Sequence, residues 1–419
     1  MSRAKKAVIF GAGNIGRGFL GQLLTEASAE ASGYEVVFVE INRRLVDRLN
    51  QQGSYTLRIV DNEFRQDLTI APVRAVDGRN GEAVAREIVG ADLLATAVGV
   101  RALPQVAPVI ALGIARRAEA GVGTPLNIII CENLKNASQA LRAMVQEHLP
   151  GEVHGYLERK VGFVEAVIAR MVPLLPDEVR EKDPTFIVVE PYKVLPVDRR
   201  GFKGAIPDIV GLEPREDFAA YVDRKLYLHN AGHAMLGYLG YQRGLEYGYE
   251  ALDDPLIRPL LDQALDEAAQ ALVAEHGFDP DALRSHVADL LARFGNRPLG
   301  DTIFRLARDP IRKLGPTDRL VGGARLALEH GIEPHALSWG IAAGLAYDDP
   351  RDPEAVQLQE MLQERGVDIV LAQVCGLDPA GHLAGMVRER YRRVVRGVLP
   401  GNQGSGNQAA KAEHRQPAD

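Results

Sequence analysis

Three features of the sequence predict an α/β first domain followed by a mostly α-helical second one. A short apolar strand runs directly into a glycine-punctuated turn. Strands and helices then alternate as far as about residue 192, and from about residue 215 nearly every periodic segment has helical spacing. At 419 residues the chain exceeds one ordinary core, so two domains are expected. We place them at 1–193 and 194–400, ahead of a polar, glycine-rich and aperiodic tail at 401–419 that reads as disordered.

The first strand, KAVIF at 6–10, leads at once into GAGNIGRG. There Gly11, Ala12, Gly13, Asn14, Ile15 and Gly16 spell G-x-G-x-x-G and open a helix. The first glycine of such a turn permits its tightness, the second lets backbone approach a diphosphate, and the third lets helix pack on strand. The helix start adds free N–H groups for the phosphates. EVVFVE at 35–40 reads as a second buried strand ending in Glu40, about 24 residues after Gly16, where a ribose diol would be held. These residues predict a Rossmann-type dinucleotide-binding domain with NAD as its cofactor, since Glu40 would repel the extra phosphate of NADP. Arg43 and Arg44, just past Asn42, stand either to recruit that phosphate or to flank the adenine as solvated charges.

YTLRIV at 55–60 reads as an antiparallel or irregular excursion, and ADLLATAVG at 91–99 as a strand. Ala97, Val98 and Gly99 then lie at its carboxyl edge, where doubly wound sheets hold their cofactor. A helix over 104–120 leads to the strand PLNIIICEN (125–133), which brings Cys131, Glu132 and Asn133 to the same edge. Asn133 is a candidate donor to a developing alkoxide, or else an Asx turn capping the helix that follows. VGFVEAVIARMVP (161–173) and TFIVVEPY (185–192) close the first domain as strands or short helices, with VLPVDRRGFKGAIPDI as the bridge.

Helices are expected at 217–241, 255–276, 280–293, 300–308, 317–330, 335–346, 353–365, 368–374 and 379–398. The first carries the chemistry. At about 100° per residue, His229, His233 and Asn230 fall about 40°, 80° and 140° from Lys225. Tyr227, Leu228, Ala231, Met235, Tyr238 and Leu239 form the apolar back of this helix. A buried lysine must lose its charge or find a partner, and a neutral amine is a general base. An amide can donate to an alkoxide and a histidine can fix a hydroxyl. Gly232, Gly237 and Gly240 lie on or beside the polar arc, as expected if something must approach that face closely.

Further on, Arg305, Arg308, Arg312 and Lys313 crowd around Pro310, a density that suits a phosphomonoester. Pro310 should end a helix near Arg308 and swing Arg312 and Lys313 toward the cleft, and Lys203 is a further phosphate candidate. The alternative is a solvated basic face. A net charge of −7 with 25% charged residues gives no basic field for nucleic acid or a membrane surface, so neither is an expected partner. Two cysteines, Cys131 and Cys375, are too few for a disulfide framework, and no apolar run suits a signal peptide or a membrane span. A cytoplasmic monomer or small homo-oligomer is the expectation.

With GAGNIGRGF, ATAVG, TPLNIIICEN, FKGA, RFGNRPL and K-x4-N-x2-H at 225–233, nearly the whole chain resembles the polyol-specific long-chain dehydrogenase/reductases, the mannitol dehydrogenase family. The resemblance implies zinc-independent hydride transfer between a polyol and its ketose and, with the basic run at 305–313, a sugar phosphate as the expected partner. It gives Lys225 the role of general base, Asn133 and Asn230 those of oxyanion donors, and His233 that of positioning the reacting hydroxyl. Two positions depart from the family pattern: Ala169 stands where many members carry aspartate before Arg170, and His229 where relatives carry an apolar residue. Three other readings compete. One is a dehydrogenase of unphosphorylated polyols, and another is a metal site using His229 and His233 at i,i+4. The third is a dinucleotide sensor that has lost its chemistry.

Overall fold

The computed structural model describes residues 5–26 and 33–400, and the expected tail at 401–419 lies outside the described residues. The chain divides into two compact units that part between Tyr221 and Val222, so residues 194–209, read as a bridge, belong to the first unit.

Six parallel strands form the main sheet of that unit: β1 (Lys6–Phe10), β2 (Glu35–Glu40), β5 (Val73–Asp77), β6 (Leu93–Thr96), β7 (Leu126–Ile130) and β8 (Val161–Glu165). Their spatial order is β5-β2-β1-β6-β7-β8. Counting only these strands, the order is 3-2-1-4-5-6, with the reversal between β1 and β6. The strands are apolar almost throughout because both faces are covered. One face packs on Phe19, Leu20, Leu23 and Leu24 of the first helical run, and the other on Leu103, Ile110 and Ile114 of the helix Leu103–Glu119.

The excursion at 55–60 is β3 (Tyr55–Val60), antiparallel to β4 (Arg65–Ile70). TFIVVEPY contributes β9 (Ile187–Val189), which pairs with β3 and so lies outside the main sheet. β10 (Leu195–Asp198) and β11 (Leu212–Arg215) pair parallel, and Val197 bridges to Ala166 beyond β8. Asn127 holds the same stretch, donating from Nδ2 to Lys203 O (3.2 Å) and accepting from Lys203 N (2.8 Å). These backbone pairings make the supposed bridge part of the first unit.

The second unit is helical. Its longer helices are Ala231–Gln242, Ile257–His276, Pro280–Phe294, His335–Leu345, Pro353–Arg365 and His382–Val394, around a core that includes Leu236, Leu239, Leu261, Leu265, Ile341 and Leu371. No helix among the described residues is long and apolar enough to cross a membrane.

Candidate active site

In the first unit, β1, β2 and β6 bring the fingerprint, Glu40 and the 97–99 turn to one edge. Gly11 has φ +94°, and a Cβ there would stand 2.6 Å from Ala97 O. At Gly16 a Cβ would stand 2.0 Å from Gly11 O. Both positions need glycine because the chain packs against itself. Gly13 differs: it is exposed, and an added Cβ would meet nothing within 4 Å. Its missing side chain leaves open space beside the turn, as the close approach of a diphosphate requires. Glu40 is already oriented: Oε2 accepts from Ala12 N (3.0 Å), and Oε1 from Ile41 N (2.8 Å) and Asn42 N (2.9 Å). Arg44 is turned away to donate to Glu181 O, whereas Arg43 is 83% exposed, 3.9 Å from Asp47. These residues fit a dinucleotide with a free ribose diol.

Sequence reasoning placed Glu132 at this edge without a role. Its buried carboxylate accepts from Thr96 Oγ1 (2.5 Å) and Val98 N (2.9 Å), tying the loop after β7 to the loop after β6. Burial pushes this carboxyl up against the bonds that hold it ionised. Its neighbour Asn133 is exposed; Asn136 takes the N-cap position of Ala137–Glu147, and Glu165 accepts from Ser138 N and Oγ at the helix start.

In the second unit, Lys225 opens a π-helical turn, Lys225–Asn230, which runs directly into Ala231–Gln242. The N–H of Ala231 reaches Leu226 O, five residues back. Such a turn holds one residue more than an α turn, so Asn230 lies nearer to being above Lys225 than the 140° of a regular helix allows. Lys225 keeps part of its surface exposed, yet protein surrounds its amine at longer range. Burial, reinforced by the nearby Arg319 guanidinium and opposed by Asp318, lowers its pKa to about 8. Arg319 is itself buried, with Nε donating to Asp318 Oδ1 (2.7 Å), and the sequence analysis gave this pair no role.

The His233 imidazole is held well below its ordinary pKa by burial and by neighbouring Arg305, Arg293 and Arg319, so it is neutral near pH 7. Its ring lies 4.4 Å from that of Phe294 and meets the edge of His229 at 4.6 Å. His229 is buried, and burial depresses its pKa as well, which makes it a neutral wall behind His233. The apolar back is as expected, with Leu228, Ala231, Met235, Tyr238 and Leu239 all buried. The glycines need correction. A Cβ on Gly232 would stand 2.7 Å from the Phe294 ring, on Gly237 2.8 Å from Ala307 N, and on Gly240 2.5 Å from Ile303 Cδ1. These glycines admit neighbouring protein rather than a ligand.

The basic segment breaks where Pro310 implied: a helix Ile303–Ala307 ends at Arg308, Asp309 takes a left-handed conformation, and Pro310–Lys313 forms one turn. Arg308 and Arg312 are exposed and within 3.9 and 3.1 Å of Asp309, while Arg305 pairs with Asp301. Lys313 is only 5% exposed, and its Nζ donates to Leu306 O at 2.7 Å. That bond commits the Lys313 amine to a backbone carbonyl. Lys203 sits in the first unit, bound through its backbone to Asn127. Among the described residues, no three His, Cys, Asp or Glu side chains come together as a group able to hold a metal ion.

The family model described as the mannitol dehydrogenase Rossmann domain matches residues 5–211, and that of the mannitol dehydrogenase C-terminal domain matches 217–395. The chain belongs to the mannitol dehydrogenase family. Within it, a protein of Brevibacillus brevis named mannitol-1-phosphate 5-dehydrogenase is 42% identical over 389 residues, covering 93% of this chain and 98% of the relative. A Bacillus licheniformis protein of the same name is 40% identical over 373 residues, 89% of this chain and 96% of the relative. Two solved structures share the mannitol dehydrogenase fold. A Pseudomonas fluorescens mannitol 2-dehydrogenase in ternary complex with NAD and D-mannitol superposes with a TM-score of 0.74 at 18% identity, covering 94% of each chain. A substrate-free D-sorbitol dehydrogenase does so with a TM-score of 0.79, also at 18% identity, covering 95% of each.

Proposed function

We propose that the chain interconverts D-mannitol 1-phosphate and D-fructose 6-phosphate with NAD(H), using Lys225 as general acid and base and no metal. The observation that carries the chemistry is the Lys225 amine, its pKa lowered to about 8 at the start of a π-turn that also bears Asn230. The named activity of relatives at 40–42% identity over nearly the whole chain supports the substrate. The dinucleotide, when bound, exchanges hydride with the carbinol carbon.

In oxidation the neutral Lys225 amine takes the hydroxyl proton as the C–H hydride departs, leaving a ketone. In reduction the ammonium returns that proton to the oxygen. Asn230 donates to the oxygen while it carries negative charge, a role the family resemblance also gives to Asn133, and neutral His233 orients the hydroxyl. Arg308 and Arg312, exposed and paired only through Asp309 and Asp318, are the groups best able to meet a phosphate dianion. Lys313 contributes less, since burial and the nearby Arg319 and Arg312 hold its pKa well below the ordinary lysine value. Its bond to Leu306 O is the observation that favours the second reading, an enzyme of unphosphorylated polyols.

The deciding assay follows NADH consumption with fructose 6-phosphate and with fructose, before and after dialysis against a chelator. The proposal expects the phosphorylated substrate to be preferred and the rate to survive dialysis. It also expects Arg308→Ala or Arg312→Ala to cost about ten- to a hundredfold with the phosphorylated substrate alone. Equal use of fructose would move the chain to the second reading, and activity lost with the metal would remove the lysine mechanism.

A further inference from the structure

The helical run 14–25 is not a plain α-helix. Residues Gly16–Gly21 form a π turn, which leaves backbone carbonyls for other groups to satisfy. The Tyr55 hydroxyl, from β3, donates to Arg17 O at 2.6 Å, and a Cβ on Gly21 would stand 2.0 Å from that hydroxyl. Arg170 donates to Gly18 O (3.0 Å) and Gln22 Oε1 (2.7 Å), and is held in turn by Glu190 O.

Arg17 projects from this turn and is only 7% exposed. Its Nε donates to Ala12 O (2.5 Å) and its Nη1 to Pro184 O (2.8 Å) and Thr185 O (2.6 Å). All three partners are carbonyls. Burial disfavours the charge of Arg17, and Glu40 and Asp183 favour it only through space, so the three carbonyls are what hold the guanidinium in place.

The peptide between Ala12 and Gly13 is planar and trans, so its C=O and N–H point in opposite directions. Pinning Ala12 O inward on Arg17 therefore turns the Gly13 N–H outward, on the side where Gly13 is exposed and its absent Cβ leaves open space. Glu40 fixes the other end of the same residue through Ala12 N. We propose that Arg17 is the positioning residue of the dinucleotide half-site. Its buried guanidinium sets the orientation of the glycine turn, and with it the outward direction of the Gly13 N–H that meets the diphosphate of a dinucleotide.

This role rests on the cofactor reading above. The test measures NADH affinity directly, by the change in NADH fluorescence on titration, in the wild type, Arg17→Lys and Arg17→Met, alongside thermal melts. Lysine keeps the charge but cannot span three carbonyls, and it is the variant that decides if the methionine form fails to fold. The expected result is a Kd for NADH raised about ten- to a hundredfold in the folded variants. The KM for NADH should rise in parallel, and kcat at saturating NADH should fall by a smaller factor. A wild type that binds NADH while folded Arg17→Lys binds it within twofold would overturn the role of Arg17 alone. A wild type that does not bind NADH would overturn the cofactor reading and this inference with it.

Discussion

The chemistry assigned to Lys225 depends on how poorly its charge is solvated. Burial and the Arg319 guanidinium both disfavour the ammonium, and Asp318 opposes them, leaving a pKa of about 8 at which either protonation state is accessible. Lys225→Ala should lower turnover by roughly two to four orders of magnitude while NADH still binds. Asn230→Ala should cost on the order of a hundredfold. Near-normal turnover of Lys225→Ala in a stopped-flow assay would refute the assignment. Lys225, Asn230 and His233 were legible in the sequence because polar groups stand out on an apolar helix. Arg319 was not, because its effect on Lys225 depends on how a separate part of the chain folds back. Lys313 shows the converse failure: its neighbours in sequence are exposed arginines, but its own side chain turns inward to Leu306 O.

At the scale of elements, each unit carries a π turn among its candidate residues, Gly16–Gly21 in the first and Lys225–Asn230 in the second. Apolar periodicity cannot reveal such a turn, since one extra residue in an otherwise buried helix leaves the pattern nearly intact. The group that satisfies the first turn, Tyr55, is also 38 residues distant in sequence from the carbonyl it binds. The fingerprint itself was legible, and at Gly11 and Gly16 a Cβ would clash with backbone, whereas Gly232 gave no hint that Phe294 would fill its space. A paired substitution separates these meanings of glycine. Gly13→Ala should melt like the wild type, since nothing lies within 4 Å of the new Cβ, yet weaken NADH binding about tenfold or more. Gly232→Ala should lose about 1–3 kcal/mol in urea unfolding, because its Cβ would sit 2.7 Å from the Phe294 ring. A destabilised Gly13→Ala with unchanged NADH affinity would reverse the interpretation.

At the scale of the whole molecule, alternating strands and helices followed by helices alone were enough to foresee an α/β unit and a helical one. The place of β9 was not legible, because a short apolar run says nothing about which sheet it joins, and here β3 takes it. The stretch at 194–209 reads as a linker by its prolines and glycines, but pairing through β10 and Asn127 holds it within the first unit. The first unit also sets cofactor choice. With Glu40 fixed by three backbone N–H groups and Arg44 engaged on Glu181, kcat/KM should favour NADH over NADPH by at least about tenfold. Parity between the two would mean that Arg43 outweighs the carboxylate. The most direct test of the account is the pH dependence of kcat/KM in both directions on the same preparation. Only the neutral amine accepts a proton and only the ammonium donates one. Oxidation of mannitol 1-phosphate should therefore rise with pH to a plateau above about 8, while reduction of fructose 6-phosphate declines over the same range. Profiles that stay flat through pH 8, or that bend together in the same direction, would contradict Lys225 as the proton-transfer group.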